Sequence, residues 1–161
     1  LVVECCNGSV ALFNISTGFT PLCTFEVAHA SNWLRLCFTP VAGHTLLATC
    51  STKEMEAKVW DLSTVAAPAA AAAAVDVKPT LVTVLRGHTD DIRDVHFSAD
   101  GALIATASFD NTVKVWDAVT GRELYTLTRH TDGVCGVAFH PTSSNALVSC
   151  SADCTAIVWT A

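Results

Sequence analysis

The stretch Thr106-Ala107-Ser108-Phe109-Asp110-Asn111-Thr112-Val113-Lys114-Val115-Trp116-Asp117 reads as the end of one strand, a turn and a second strand. The turn is Phe109-Asp110-Asn111, where Asp and Asn tolerate unusual backbone angles. The closing four residues recur: Lys58-Val59-Trp60-Asp61 stands upstream and Ile157-Val158-Trp159-Thr160 downstream. Ahead of each lies a His followed nine residues later by Phe: His29 to Phe38, His88 to Phe97 and His130 to Phe139. A fixed apolar phase with a shared start and stop is an internal repeat, so the chain is built from copies of one supersecondary unit.

Working outward, the unit that begins at His88 is the best defined. Its segments are short, β-branched and alternating, with Gly, Asp, Asn, Ser and Pro between them, which is strand-and-turn grammar. The expected strands are 92–97, 103–108, 112–117 and 123–127, with turns at Ser98-Ala99-Asp100-Gly101 and Thr120-Gly121. The next copy is expected at 134–139, 146–151 and 155–159, with His140-Pro141 breaking its first strand. Upstream, 33–38, 46–50, 57–62 and 81–85 repeat the pattern, and 1–4, 9–14 and 22–25 read as the last three strands of an earlier copy. The step from Trp116 to Trp159 falls within the roughly 40–45-residue period of four-stranded repeats. The step from Trp60 to Trp116 is longer because of 64–78, which contains the run Ala69–Ala74. A poly-Ala run has no amphipathic face to anchor a helix, so a mobile loop is expected there rather than a helix.

Composition bounds the function. The 161 residues are 51% hydrophobic, enough for a substantial core in one domain. No apolar run is long enough to span a bilayer, and no signal-peptide pattern stands at the start. The chain opens inside strand-like sequence without Met, which suggests a piece of a longer polypeptide. Net charge is −6 and the nine basic residues are scattered, whereas phosphate-backbone binding needs clustered Lys and Arg. Generic nucleic-acid binding is therefore not expected. Most of the eight Cys lie in apolar strand-like segments (Cys23, Cys37, Cys50, Cys135, Cys150), which reads as buried thiols of an intracellular fold rather than a disulfide framework.

The order Gly87-His88, Asp110, Trp116-Asp117, with the near-consensus stretches 85–89 and 106–117, resembles the WD-repeat β-propeller family over essentially the whole chain outside the Ala-rich insert. The resemblance implies an all-β fold, a β-propeller of four-stranded antiparallel blades, here an incomplete arc of about three to four blades. The units would be residues 1–26, 27–86, 87–128 and 129–161, the last lacking its fourth strand. Propellers close with about four to eight blades, so the remaining blades are expected in the same longer chain. The family also implies a polar tetrad in each good repeat. In one it is His88, Asp110, Trp116 and Thr106, with Ser108 as the alternative hydroxyl; in the next, His130, Asp153, Trp159 and Ser149, with Ser151 as the alternative. The physics agrees, because a buried indole N–H needs an acceptor and a buried carboxylate needs donors. The other copies depart from the pattern: Ala28-His29 replaces Gly-His, Glu54 stands where Asp is expected, and Asn7 replaces Asp in the first fragment.

Catalytic and metal chemistry compete poorly with these structural roles. His88 and Asp110 with a nearby hydroxyl imitate a catalytic triad, but the group recurs with the repeat, whereas an active site needs one nucleophile at an open cleft. Cys150 and Cys154 are one pair at zinc-like spacing, with Cys135 and His140 in the same repeat, but no second pair at matching spacing completes a site. No cofactor, metal or enzymatic activity is expected. By resemblance, such propellers are non-catalytic protein–protein interaction scaffolds within intracellular multiprotein complexes, binding proteins or peptides at blade loops and the central entrance. Partner contacts would come from Asp91, Arg93 and Phe109, from Asn32 and Leu34, and at the equivalent places in the last copy from Gly133, Cys135 and Ala152. Arg93 and Phe109 stand out, because Arg and aromatic residues are enriched at binding hot spots; packing of Phe109 over a neighbouring loop is the equal alternative. A substrate receptor of a cullin-type ubiquitin ligase is a second reading. It is weakened because Ser63 and Val119 occupy the positions where many such receptors carry Arg. An accessory propeller of a larger enzyme is the third.

Overall fold

The computed structural model describes residues 2–6, 9–14, 20–26, 34–41, 45–51, 53–66 and 78–160. His29, Asn32, Trp33 and the run Ala69–Ala74 lie outside the described residues. Four antiparallel sheets follow one another along the chain. The first holds β1 (Val2–Cys6), β2 (Ser9–Asn14) and β3 (Thr20–Glu26), in that spatial order. The second holds β4 (Leu34–Phe38), β5 (Leu46–Ser51), β6 (Glu56–Asp61) and β7 (Thr80–Arg86). The third is β8 (Ile92–Phe97), β9 (Leu103–Ser108), β10 (Val113–Asp117) and β11 (Glu123–Leu127), each strand paired to the next. The fourth is β12 (Val134–His140), β13 (Ser143–Ser151) and β14 (Ala156–Thr160). The chain is thus an all-β succession of meander sheets, open rather than closed.

Strand alternation explains how the sheets stack. In β9, Ile104 and Thr106 point to one face and Ala105 and Ala107 to the other, as successive Cβ atoms must. Ile104 joins Trp116, Phe97 and Val95 against Ala48, Val59 and Leu85 of the second sheet. Ala105 and Ala107 join Val113 and Val115 against Val134, Val137, Phe139 and Leu147 of the fourth. Val10 and Leu12 of the first sheet meet Leu47, Trp60 and Leu62 of the second. The third sheet is therefore covered on both faces, and five consecutive residues of β9, Ile104 to Ser108, are buried. The inner strands are also stitched side chain to backbone across the seams. Phe97 N–H donates to Cys37 Sγ at 3.4 Å, and Val137 N–H donates to Asp94 Oδ2 at 3.1 Å.

Two expectations need correction. The segment after β6 begins as a single helical turn, α1 (Ser63–Ala66), rather than as loop from residue 64. Val65 anchors it in the core beside Val10, Trp60 and Leu62, so one apolar residue supplies the anchor that the poly-Ala run lacks. Of the cysteines expected in the core, Cys50 is buried and Cys37 is half-buried, but Cys135 and Cys150 are exposed. Cys150 lies on the outer face of the fourth sheet, where no further sheet covers it among the described residues. Cys135 sits at the irregularity where the β12–β13 register shifts between Val134 and Gly136.

Candidate functional site

Two polar groups, one per sheet, dominate the interior chemistry. In the third sheet, His88 precedes β8, Thr106 lies within β9, Asp110 sits in the β9–β10 turn and Trp116 lies on β10. His88 Nδ1 is 2.7 Å from Asp110 Oδ2, and its Nε2 is 2.7 Å from Thr106 Oγ1. Trp116 Nε1–H donates to the same Thr106 oxygen at 2.8 Å. The carboxylate can only accept, so His88 Nδ1 carries a hydrogen and neutral Nε2 accepts from the Thr106 hydroxyl. Every hydrogen then has one acceptor: indole to hydroxyl, hydroxyl to imidazole, imidazole to carboxylate. Burial pushes the His88 pKa below its ordinary value against the opposing pull of Asp110, in keeping with the neutral ring.

Asp110 is held by more than His88. Thr89 N–H donates to Oδ2 at 3.0 Å, while Thr112 N–H at 3.0 Å and Thr112 Oγ1–H at 2.6 Å donate to Oδ1. Burial alone would raise its pKa, but the bonds from Thr112, His88 and Thr89 outweigh it and hold the carboxyl below the usual range. Beside the indole, buried Lys114 Nζ donates to Glu123 Oε2 and Thr126 Oγ1 of β11, each at 2.9 Å.

The fourth sheet repeats the group. His130 Nδ1 is 2.9 Å from Asp153 Oδ2, and Nε2 is 2.8 Å from Ser149 Oγ, which accepts from Trp159 Nε1–H at 2.8 Å. Thr155 plays the part of Thr112, donating to Asp153 Oδ1 at 2.6 Å, and its hydroxyl is the first cause of an Asp153 pKa far below the ordinary value. The alternative hydroxyls do other work. Ser108 Oγ bonds Asp90 O and Asp110 N–H, and Ser151 Oγ bonds Asp132 O and Asp153 N–H. In the second sheet Trp60 Nε1–H donates to Thr49 Oγ1 at 3.0 Å, and Glu54 pairs with Lys58 at 4.0 Å. Thr112 and Thr155 lie outside the four motif positions; the Asp-x-Thr spacing at 110–112 and 153–155 is the sequence signal that points to them.

At one end of the sheets lies a different arrangement. The Arg93 guanidinium carbon stands 4.5 Å from the centre of the Phe109 ring. Phe109 N–H donates to Asp91 O at 2.9 Å. Gly133 of the neighbouring unit also lies against the ring; a Cβ there would fall 2.6 Å from the ring edge. Phe109 therefore packs on the adjacent turn and still leaves 39% of its surface open. The structure brings Asp91, Arg93 and Phe109 together with Gly133. Ala152 N–H is turned inward, bonded to Gly133 O at 2.9 Å. Leu34 packs partly buried near Val10 and Leu12, in the core between the first two sheets. Its side chain therefore belongs more to the packing than to an open rim.

The two arrangements differ in what they can do. Thr106 is fully buried and its oxygen already accepts from Trp116 and donates to His88, so it offers no free nucleophile at a cleft. Ser149 is engaged in the same way. Among the described residues no three His, Cys, Asp or Glu side chains converge as metal ligands. No helix among them is long and apolar enough to cross a membrane. A groove of about 1110 Å³ runs between the third and fourth sheets, with Val115, Tyr125, Leu127, Leu147 and Trp159 in its walls.

The model of the family described as "WD domain, G-beta repeat" matches residues 79–117 and 121–160. A subunit of chromatin assembly factor 1 from Gallus gallus is 40% identical over 62 residues, covering 38% of this chain and 11% of that protein. Nuclear distribution protein PAC1 of Fusarium vanettenii is 34% identical over 114 residues, covering 66% of this chain and 22% of that protein. Periodic tryptophan protein 2 of Arabidopsis thaliana is 36% identical over 80 residues, covering 50% of this chain and 9% of that protein. The chain thus spans no more than 22% of the length of these relatives.

Proposed function

Because the chain belongs to the WD-repeat family, we propose that it is part of a non-catalytic protein-interaction scaffold whose blades hold a partner-binding rim rigid. Repeats of this family generally serve as interaction modules, and relatives named for chromatin assembly and nuclear distribution support an intracellular assembly as the setting. The observation that carries the reading is a division of labour. The groups that resemble catalysts are buried, doubled by the repeat and consumed by their own hydrogen bonds. The Arg93–Phe109 pair, by contrast, is partly exposed, with the Phe109 ring open to solvent.

In this reading the units are 1–26, 27–86, 87–128 and 129–161, and His88, Thr106, Asp110, Trp116, His130, Ser149, Asp153 and Trp159 are structural. Arg93, Phe109 and Asp91 contact the partner, a protein or peptide rather than a nucleic acid. The groove beside β14 is assigned to completing the fold. In the second and third sheets the position outside the Trp strand is taken by β7 and β11, and the outer edge of β14 is unpaired among the described residues. The open face of the fourth sheet would be covered by further blades of the longer protein.

The test is affinity capture with the double variant Arg93→Glu, Phe109→Ala. Loss of the partners retained by the parent chain, at an unchanged melting temperature, is the expected result. Undiminished capture would remove this rim from the binding surface.

A further inference from the structure

We infer that the Arg93–Phe109 pair is a receptor for a single carboxylate side chain, so that the partner segment at this rim is a peptide presenting one Asp or Glu; this rests on the rim being the partner-binding surface. The first observation is that Arg93 is held but unspent. Among the described residues it enters no ion pair or hydrogen bond; its guanidinium carbon stands over the Phe109 ring, and its charge also reaches the buried Cys50 thiol. Three other cations are committed to carboxylates: Arg86 to Glu56, Lys114 to Glu123 and Lys58 to Glu54. The second is that the ring beneath it is seated by its neighbours. Phe109 is tied through its own N–H to Asp91 O, and its ring packs on the Gly133 turn. A guanidinium seated by a ring rather than by an ion pair keeps its donors unspent, and its planar fork matches a carboxylate through two parallel N–H···O bonds. Pairing of the two groups before binding reduces the conformational entropy still to be lost.

The surroundings refine the choice of anion. Asp90, Asp91 and Asp94 flank Arg93 in sequence and Asp132 precedes Gly133, so the local field opposes a dianion more than a monoanion. The carboxylate of Asp or Glu is therefore assigned, rather than a phosphate. The methylene of that side chain would rest against the open part of Phe109.

Selection of the chain against a random dodecapeptide phage library tests this. The expected result is enrichment of Asp or Glu at one position, with affinity falling about tenfold or more on Arg93→Gln. Arg93→Lys should also weaken binding, since a point charge replaces the fork. Synthetic peptides carrying Gln or phosphoserine in place of the selected acid form the second arm. Both should bind more weakly; tighter binding of the phosphoserine peptide would overturn the carboxylate assignment. Selected peptides that need Phe109 but show no acidic preference would overturn the inference while leaving the rim intact. Peptides indifferent to both Phe109→Ala and Arg93→Gln would overturn the rim itself.

Discussion

Thr106 has a single hydroxyl hydrogen, and the geometry directs it to His88 while the oxygen takes the indole hydrogen of Trp116. Such a chain has no spare member, so removing one strands another. Replacing Asp110 by Ala leaves His88 Nδ1, Thr89 N–H and Thr112 without their acceptor; the stranded buried imidazole costs about 1–3 kcal/mol, and the exposed Thr89 N–H less. Asp110→Ala is expected to lower the melting temperature by about 5–10 °C, at about 2–4 °C per kcal/mol for a chain of this size, read by calorimetry or Trp fluorescence. The pH dependence follows from the same residues. His88 is held neutral, its pKa below the ordinary value of about 6.5, so protons prefer the unfolded chain and stability declines as pH falls below that value. Asp110 and Asp153 have depressed pKa values, so their contribution is full above about 3.9 and is lost as pH falls below it. Melting temperature against pH should show both limbs. Asp110→Asn should flatten the lower one, and an unchanged acid limb would contradict the assignment. The His, Asp and Trp positions are legible in the sequence because their spacing repeats. Thr112 and Thr155 are less legible: a Thr just before a strand is ordinary by composition, and only the repeated Asp-x-Thr spacing singles them out.

At the scale of elements, the strands are legible because apolar alternation and turn residues agree, and observed ends lie within a few residues of expectation. The largest difference is β13, which starts at Ser143 rather than 146 because His140 pairs with Ser143 across a tight connection. What alternation cannot show is which neighbour covers a face. That is why Cys150 reads as interior from sequence, and why the single turn α1, held by Val65, does not stand out there. Turn geometry adds an expected outcome. Gly121 has φ +70° at the β10–β11 turn, and a Cβ there would collide with the Thr83 side chain of the second sheet. Gly121→Ala is expected to destabilise by about 1–3 kcal/mol, from left-handed strain and overpacking together. Adding Thr83→Ala should restore only the packing part. Full recovery in a double-mutant cycle would show that backbone strain contributes nothing.

Over the whole molecule, the repeat supplies its own control. Val115 and Val158 hold the same position in successive units, but Val115 is buried by the fourth sheet while Val158 is 72% exposed. Val148 is 41% exposed where its counterpart Ala105 is fully covered. In this 161-residue chain Val115→Asp is therefore expected to cost several kcal/mol or abolish folding, since it buries an unpaired charge, and Val158→Asp to leave the melting temperature unchanged. The exposed face should also make the chain associate with rising concentration, and Val148→Lys with Val158→Asp should hold it monomeric in light scattering. Equal effects of the two Asp substitutions would mean that the fourth sheet does not cover the third.

The buried His–Asp–hydroxyl–Trp groups are assigned to holding the fold, and the Arg93–Phe109 rim to holding the partner. The most direct test of that division is one paired measurement of melting temperature and partner capture on Asp110→Ala and on Arg93→Glu, Phe109→Ala. A crossed result is predicted: the first variant melts earlier yet captures normally below its transition, and the second melts normally yet captures nothing. If the rim variant still captured partners, or if Asp110→Ala lost them while its melt was unaltered, the assignment of roles would be contradicted.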